Sequence, residues 1–198
     1  MMKKTARERI FFQNANYWKP AGNVFVADCM PFCHDGVFHV YYLWDQGHHH
    51  HPQFGTLGGH VWAHISSNDL VNWEHHPVAL PFDAENGECS NCTGSLLEWK
   101  GKIYAFYALR SRFFGGEERF RIAASSDGGC SFVERFAPDI PVPPGTRGQF
   151  RDPHAFVGED GLIHILITAG GGTEELPLGR ILHYTTPDMK KYTCRETL

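Results

Sequence analysis

The side chains in this sequence that are best suited to chemistry stand in a row before a proline. Arg151 and Asp152 precede Pro153, and an alternating apolar segment, residues 155–167, follows them. Such alternation predicts a β-strand, and Pro153, which lacks an N–H, belongs at the first residue of that strand or on an edge of its sheet. We therefore expect Arg151 and Asp152 to lie where a loop enters the sheet. The plain alternative is a surface ion pair at the start of a strand.

Length and composition predict one domain built mainly of strands. The chain has 198 residues, and its 21 glycines, 12 prolines and 14% aromatic residues favour many short strands and turns over helices. A formal charge of −4 without a basic stripe makes nucleic acid and anionic membranes unsuitable partners. We expect no cofactor.

Neither a membrane span nor a secretory signal is predicted. No apolar run approaches the ~20 residues that a bilayer crossing needs. The first nine residues have no apolar core after their charges, which a secretory signal would require. We therefore expect a cytoplasmic protein.

A metal site is not predicted for the cysteines or the histidines. In a cytosolic chain the six cysteines are expected to be free thiols. Cys89 and Cys92 have the spacing of one zinc-ligand pair, but no second pair is present. Cys29 and Cys33 are expected to pack as small apolar residues. The histidine run at residues 48–51 is interpreted as a solvated loop or pocket rim, with a metal site as the alternative.

Three sets of markers recur along the chain at one period. Turn glycines, turn aspartates and late aromatic residues are each spaced by 58 to 65 residues. The markers are Gly36, Gly101 and Gly161, then Asp69, Asp127 and Asp188, and then Trp73, Phe132 and Tyr192. Each unit has the pattern of two strands, the second ending in two hydroxyl residues, followed by an aspartate turn and a last strand. A repeat of about four strands is typical of a β-propeller blade.

The repeat predicts an all-β chain with about three propeller blades. We place an N-terminal segment at residues 1–21 and the blades at about residues 22–80, 90–137 and 148–198. One four-stranded sheet cannot bury both of its faces, so the sheets are expected to stack around an axis. The innermost strand of each blade should precede the glycine turn and start near that axis. Asp28, Thr93 and Asp152 are therefore expected to share a central pocket.

Three blades alone leave two open sheet edges, which favour aggregation. Propellers typically have 4–8 blades. We expect either further blades in the same polypeptide or a second copy of the chain to cover the edges.

An ordered set of motifs over residues 22–198 resembles glycoside hydrolase family 32, the invertases and fructan hydrolases. Asp28, within residues 27–32, is similar to the aspartate of the family's Asn-Asp-Pro-Asn-Gly-type motif. Residues 59–64 and 66–75 look like its Trp-Gly-His and Ser-x-Asp-Leu-Val-x-Trp segments. Residues 93–95 resemble its Ser-Gly-Ser element, and residues 150–153 match its Arg-Asp-Pro motif.

The resemblance implies a five-bladed propeller and a retaining, two-carboxylate hydrolysis of fructofuranosides such as sucrose or fructans. It implies Asp28 as the nucleophile, and Asp152, steered by Arg151, as the group that binds sugar hydroxyls and stabilises the transition state. A small carbohydrate is the expected partner. The remaining substrate-binding candidates are Trp44, Asp45, His60, Thr93 and Ser95.

Two departures from the family keep alternatives open. The first motif has Cys29 and Met30 where the family has proline and asparagine. An arabinosidase or xylosidase of the related family 43 is therefore an alternative, as is a propeller that binds carbohydrate or a protein without catalysis. The family's third acid, the proton donor in a Glu-Cys-type motif, has no match, and Glu196 is expected on the last strand of the third blade. We therefore expect an incomplete catalytic domain.

Overall fold

The computed structural model describes residue 20 and residues 24–45, 47, 55, 58–114 and 118–197, and this part of the chain is almost entirely β structure. Within it only Arg112–Phe114 form a helical turn, of the 3-10 type. Its twelve strands form three sheets of four. The first sheet contains β1 (Phe25–His34), β2 (Val37–Asp45), β3 (Val61–Ser67) and β4 (Glu74–His75). The second contains β5 (Glu88–Trp99), β6 (Lys102–Ser111), β7 (Glu118–Ser125) and β8 (Glu134–Phe136). The third contains β9 (Arg147–Val157), β10 (Ile163–Gly172), β11 (Pro177–Thr186) and β12 (Thr193–Thr197).

Each sheet is an antiparallel meander in which strands that follow each other in the chain pair side by side. Two-residue turns join the first two strands of the first and second sheets. Asp35 and Gly36, like Lys100 and Gly101, all have positive φ, which is the geometry that matches the twist of a hairpin. The all-β prediction is confirmed. The three sheets span residues 25–75, 88–136 and 147–197, and the boundaries given above for the blades stay predictions. The boundary at residue 21 lies outside the described residues and stays a prediction.

The hydrophobic core lies between neighbouring sheets. On β2 the alternate residues Tyr41 and Leu43 join a cluster with Ile103 and Tyr107 of β6, so the first sheet packs on the second. A second cluster joins Phe106, on the opposite face of β6, to residues of the third sheet. The third-sheet members include Ile163, Ile165, Ile167 and Tyr184. The second sheet is therefore buried on both faces, as the stacking prediction requires.

Buried aromatic residues use their polar atoms to join the first two sheets. The indole N–H of Trp62, which is fully buried, donates to the carbonyl of Cys92 at 2.9 Å. The hydroxyl of Tyr41 donates to the carbonyl of Gly129 at 2.8 Å. These bonds satisfy the polar ends of large apolar side chains and fix the distance between the sheets.

The hydroxyl and aspartate pairs at the end of each third strand build the outer turns. Ser67 Oγ accepts from the amide of Leu70 at 2.8 Å, and Asp69 Oδ1 accepts from the amide of Asn72 at 2.7 Å. Equivalent bonds are made by Ser125 and Asp127 in the second sheet and by Thr186 and Asp188 in the third. The repeat therefore predicted these turns correctly, and the mechanism is local side-chain bonding to the backbone.

The predicted position of Arg151 and Asp152 at a junction of loop and strand is wrong. β9 begins at Arg147, four residues before Arg151, and Arg147 pairs with Gly170 of β10. Arg151 and Asp152 therefore lie inside the strand. Pro153 is tolerated inside β9 because this strand is the edge of its sheet and its ladder is interrupted there. Polar and glycine residues at positions 147–149 hid the start of the strand.

All six cysteines are free, as predicted. Cys89 and Cys92 are buried, whereas Cys29 and Cys33 are exposed, so the prediction that the latter pair packs as apolar residues is wrong. The histidine run at residues 48–51 lies outside the described residues. In the part of the chain that the structure covers, no helix has the length and apolar character needed to cross a membrane.

A stack of histidines lies inside the first sheet. His39 Nδ1 and His64 Nε2 are 2.9 Å apart, and the ring of His64 stacks on Tyr41 and on His76 with centroid distances of 4.4 and 4.3 Å. Burial, followed by the nearby His76 and His39, lowers the pKa of His64 to about 3, although Asp127 opposes the shift. The neutral form of this ring is therefore the one that the fold accommodates.

Gly94→Ala should destabilise the fold. A Cβ at Gly94 would overlap the carbonyl oxygen of Phe106 and lie 2.8 Å from Tyr107 Cα, and both are backbone atoms of the paired strand. We expect the free energy of unfolding to fall by about 1–3 kcal/mol in urea denaturation. Gly179→Ala is the control, because a Cβ there meets nothing within 4 Å. Equal stabilities of the two variants would refute this account.

His64 should make the protein less stable in acid. Because its pKa is lower in the folded state, the stability it contributes is present above pH ~6.5 and is lost as the pH falls toward about 3. We expect unfolding free energies between pH 6.5 and 4 to change with a slope steeper by roughly 1 kcal/mol per pH unit in the wild type than in His64→Gln. Parallel pH profiles would contradict the buried neutral ring.

Candidate active site

The first strand of each sheet carries a β-bulge at the residue singled out from the sequence. In β1, Ala27 pairs with Leu43 and Cys29 with Tyr42, so Asp28 is the extra residue. The ladder of β5 is interrupted between Asn91 and Gly94, around Thr93, and that of β9 between Arg151 and His154, around Asp152. A bulge turns a side chain away from the regular alternation of a strand, and bulges are frequent beside active sites.

Both aspartates also have a backbone conformation that residues other than glycine seldom adopt. The φ angles are 35° at Asp28 and 53° at Asp152, in the left-handed region. Aspartate enters this region more readily than most residues, but such conformations cost of order 1–3 kcal/mol and cluster at functional sites. The two acids therefore share an unusual local structure although they are far apart in sequence.

A hydrogen bond joins the bulges at Asp28 and Thr93, and the charge of Asp28 acts on Asp152 at the third bulge. Thr93 Oγ1 donates a hydrogen bond to Asp28 Oδ2 at 2.5 Å, which joins the first and second sheets. Asp152 is half-buried, and burial raises its pKa; Arg151 lowers it, while the carboxylates of Glu118 and Asp28 raise it again. Asp28, Thr93 and Asp152 thus lie within one electrostatic environment. Their roles in catalysis and binding stay predictions.

Arg151 lies beside two carboxylates. Its Nε atom is 3.5 Å from Asp152 Oδ2 and 3.6 Å from Glu118 Oε2, and Glu118 in turn pairs with Arg110 at 2.8 Å. Glu118 is a site residue that the sequence did not predict. Its signal was weak, because an acid that follows glycines normally lies in a solvated turn, and only the strand register sets it opposite Arg110.

Asp45 and His60 form a buried pair at the ends of neighbouring strands. Asp45 Oδ1 accepts from the amide of Gly47 at 2.7 Å, and its Oδ2 is 3.6 Å from His60 Nε2. The backbone of His60 bonds to the second sheet, because its amide donates to Ser90 Oγ at 3.0 Å and its carbonyl accepts from the Asn91 amide at 3.0 Å. These contacts account for their burial, and contact with substrate stays a prediction.

Trp44 packs on the face of the first sheet that points away from the second. It packs against the cluster of Tyr42, Ala63 and Ile65 there, and its side chain is partly buried. The alternation along β2 puts Trp44 opposite the face that packs on the second sheet. Its predicted contact with a sugar stays a prediction.

Ser95 joins the second and third sheets. It is buried, and its Oγ accepts a hydrogen bond from the backbone amide of Ala155 at 2.9 Å. This bond links β5 to β9 just beyond the bulges at Thr93 and Asp152. The bond gives Ser95 a structural role. Its binding of substrate stays a prediction.

Comparison with known proteins places this geometry in a family. The model of the glycosyl hydrolases family 32 N-terminal domain matches residues 21–198. The chain belongs to glycosyl hydrolase family 32. A levanase of Bacillus subtilis is 30% identical over 192 residues, which cover 92% of this chain and 25% of the levanase. A sucrose-6-phosphate hydrolase of Klebsiella pneumoniae is 27% identical over 172 residues, which cover 86% of this chain and 34% of the hydrolase.

Solved structures of the family share the fold. A sucrose-6-phosphate hydrolase from Lactobacillus gasseri superposes with a TM-score of 0.70 at 24% identity, over 87% of this chain and 34% of that one. An exo-inulinase from Aspergillus awamori superposes with a TM-score of 0.67 at 22% identity, over 87% and 37%. The prediction of a propeller fold of the glycosidase type is confirmed. The chain spans between 25% and 37% of the length of these relatives.

Ser95→Ala should lower stability because it leaves the buried amide of Ala155 without its acceptor. We expect a loss of about 1–3 kcal/mol in the free energy of unfolding, measured by urea denaturation. Ser131→Ala, which removes an exposed hydroxyl bonded to Asp127, is the control and should cost less. If Ser95→Ala is as stable as Ser131→Ala, the structural role of Ser95 is contradicted.

Proposed function

We propose that this protein takes part in the hydrolysis of fructofuranosides of the sucrose or fructan type by a retaining mechanism. The observation that carries the proposal is that Asp28 and Asp152 both lie at bulges in the first strands of their sheets, in the same left-handed conformation, with Thr93 bonded to Asp28 and Arg151 beside Asp152. Membership of family 32 and likeness to a levanase and a sucrose-6-phosphate hydrolase support the substrate class.

Asp28 is the proposed nucleophile. In a retaining glycosidase one carboxylate attacks the anomeric carbon and forms a covalent glycosyl-enzyme, which water then hydrolyses. The hydrogen bond from Thr93 Oγ1 to Asp28 Oδ2 fixes the rotamer of the carboxylate and leaves Oδ1 for the attack. The bulge at Asp28 removes this side chain from the regular alternation of β1, so it need not enter the apolar core.

Asp152 is proposed to hold the sugar rather than to attack it. Burial favours its neutral form, whereas Arg151, 3.5 Å away, favours the carboxylate. A carboxylate beside an arginine can accept hydrogen bonds from sugar hydroxyls, and such bonds strengthen in the transition state.

The proton donor has no candidate among the described side chains near these two aspartates. Glu118 is the other acid beside Asp152, but one of its oxygens bonds to Arg110 and the other faces Arg151. The backbone of Glu196 lies on β12, as predicted, and its side chain lies outside what the structure describes. General acid catalysis typically contributes ~10²–10⁴-fold, so we propose that these residues alone hydrolyse sucrose poorly.

The alternative is a propeller that binds carbohydrate without turnover. The exchange of the family's proline and asparagine for Cys29 and Met30 beside the nucleophile is the feature that favours it. A pentofuranoside substrate, as in family 43, would also need Asp28, so only the choice of sugar separates it from the main proposal.

Hydrolysis of an aryl β-fructofuranoside should depend on Asp28. A phenolate leaves without protonation, so this substrate tests the nucleophile even where the acid is missing. Asp28→Asn keeps the shape of the side chain and tolerates positive φ, but it removes the attacking carboxylate. We therefore expect the rate of phenol release to fall at least about a thousandfold. Asp35→Asn, at an exposed turn residue that also has positive φ, is the control.

The outcomes separate the candidate functions. Turnover that survives Asp28→Asn would show that the nucleophile is assigned wrongly. Binding of fructosides without any phenol release would identify the binding propeller, and release from aryl arabinofuranosides in preference to fructosides would identify the pentofuranosidase.

A further inference from the structure

A buried carboxylate that the proposed reaction does not use lies beside Arg151. Glu118 opens β7, and only 8% of the residue is exposed. Its Oε1 accepts a hydrogen bond from Arg110 Nε at 3.0 Å and lies 2.8 Å from Arg110 Nη2. Arg110 and Glu118 are paired across β6 and β7, so the register of the second sheet fixes this oxygen.

The second oxygen of Glu118 faces Arg151 from the neighbouring sheet. Glu118 Oε2 is 3.6 Å from Arg151 Nε, and the same Nε atom is 3.5 Å from Asp152 Oδ2. Both distances exceed the hydrogen-bond range. Arg151 Nε and Glu118 Oε2 are buried and have no hydrogen-bond partner within the described part of the chain. The single N–H at Nε is therefore held between two carboxylates and bonded to neither.

We propose that Glu118 is a positioning residue, which shares Arg151 with Asp152 and so keeps Asp152 from closing a direct ion pair with its neighbour. An Asp152 bonded to Arg151 would have fewer lone pairs for sugar hydroxyls. Glu118 itself touches no substrate and acts through Arg151. The inference rests on the proposed function only in treating Asp152 as a group that contacts the sugar.

The charges around Asp152 give the expected direction of change. Arg151 lowers the pKa of Asp152, and Glu118 raises it, in addition to the rise caused by burial. The ionisable groups that act on Asp152 or lie in the same cluster are Arg151, Glu118, Asp28, Arg110 and Cys92. Loss of the Glu118 charge acts on Asp152 directly and by releasing Arg151, and both effects lower the pKa of Asp152.

The test is the titration of the Asp152 side-chain carboxyl, followed by carbon NMR, in the whole chain and three variants. In Glu118→Gln we expect the midpoint to move to lower pH. The double variant Glu118→Gln/Arg110→Gln loses one negative and one positive charge, whose direct effects on the pKa of Asp152 oppose each other. A lower midpoint in this variant therefore reports mainly the movement of Arg151 toward Asp152. Glu134→Gln removes an exposed carboxylate from the same sheet and should leave the midpoint unchanged.

A crystal structure of the double variant is the second readout. The distance from Arg151 Nε to Asp152 Oδ2 should fall from 3.5 Å into the hydrogen-bond range of about 2.7–3.2 Å. If Glu118→Gln alone fails to fold, the double variant is used for the test, because it does not leave the partly buried Arg110 with an unpaired charge.

Two results would overturn the proposal. One is a midpoint in the double variant that stays in place or rises. The other is a lower midpoint with Arg151 unmoved, since that would be a direct effect of charge and not of position. Neither readout uses turnover, so both would stand even if the proposed hydrolysis were disproved.

Discussion

The packing of apolar sheet faces against each other is the constraint on which the site depends. The second sheet is buried on both sides, against the first sheet and against the third. Sheets that stack in this way run their first strands side by side, and the bond from the Ala155 amide to Ser95 Oγ is one direct link between them. Asp28 and Thr93 are hydrogen-bonded because β1 and β5 lie side by side, and β5 in turn lies beside β9, which carries Asp152. The hydrophobic core and the candidate site are therefore two results of one arrangement.

The bulges explain how acids emerge from strands whose neighbours are apolar. Regular alternation along β1 or β9 would send every second side chain into the contact between sheets, where an unpaired carboxylate is costly. One extra residue in each ladder breaks that alternation at Asp28 and near Asp152. The left-handed φ at each residue costs about 1–3 kcal/mol, and the packing of the strands on either side offsets this strain.

What the sequence could predict is what local chemistry determines. The turns at Asp69 and its equivalents follow from a hydroxyl and an aspartate bonding to nearby amides, so their period alone revealed the three sheets. The bulges could not be predicted, because a bulge exists only relative to the register of a partner strand. The same limit applies to the pairing of Glu118 with Arg110, which only the register of β6 and β7 sets. The burial expected for Cys29 rested on its residue type alone, and residue type does not show which face of a bulged strand a side chain occupies.

The charge of the cluster suits the proposed chemistry better than a neutral pocket would. Three carboxylates, those of Asp28, Asp152 and Glu118, lie with two guanidinium groups, those of Arg110 and Arg151, which leaves one negative charge unbalanced when all are ionised. Glycoside hydrolysis passes through an oxocarbenium-like transition state that carries positive charge. Fixed negative charge in a partly buried site stabilises that state more than the neutral substrate, because the sugar gains its charge only on the way to the transition state. An arginine bonded fully to Asp152 would cancel part of this effect, which is why the position of Arg151 between two carboxylates matters.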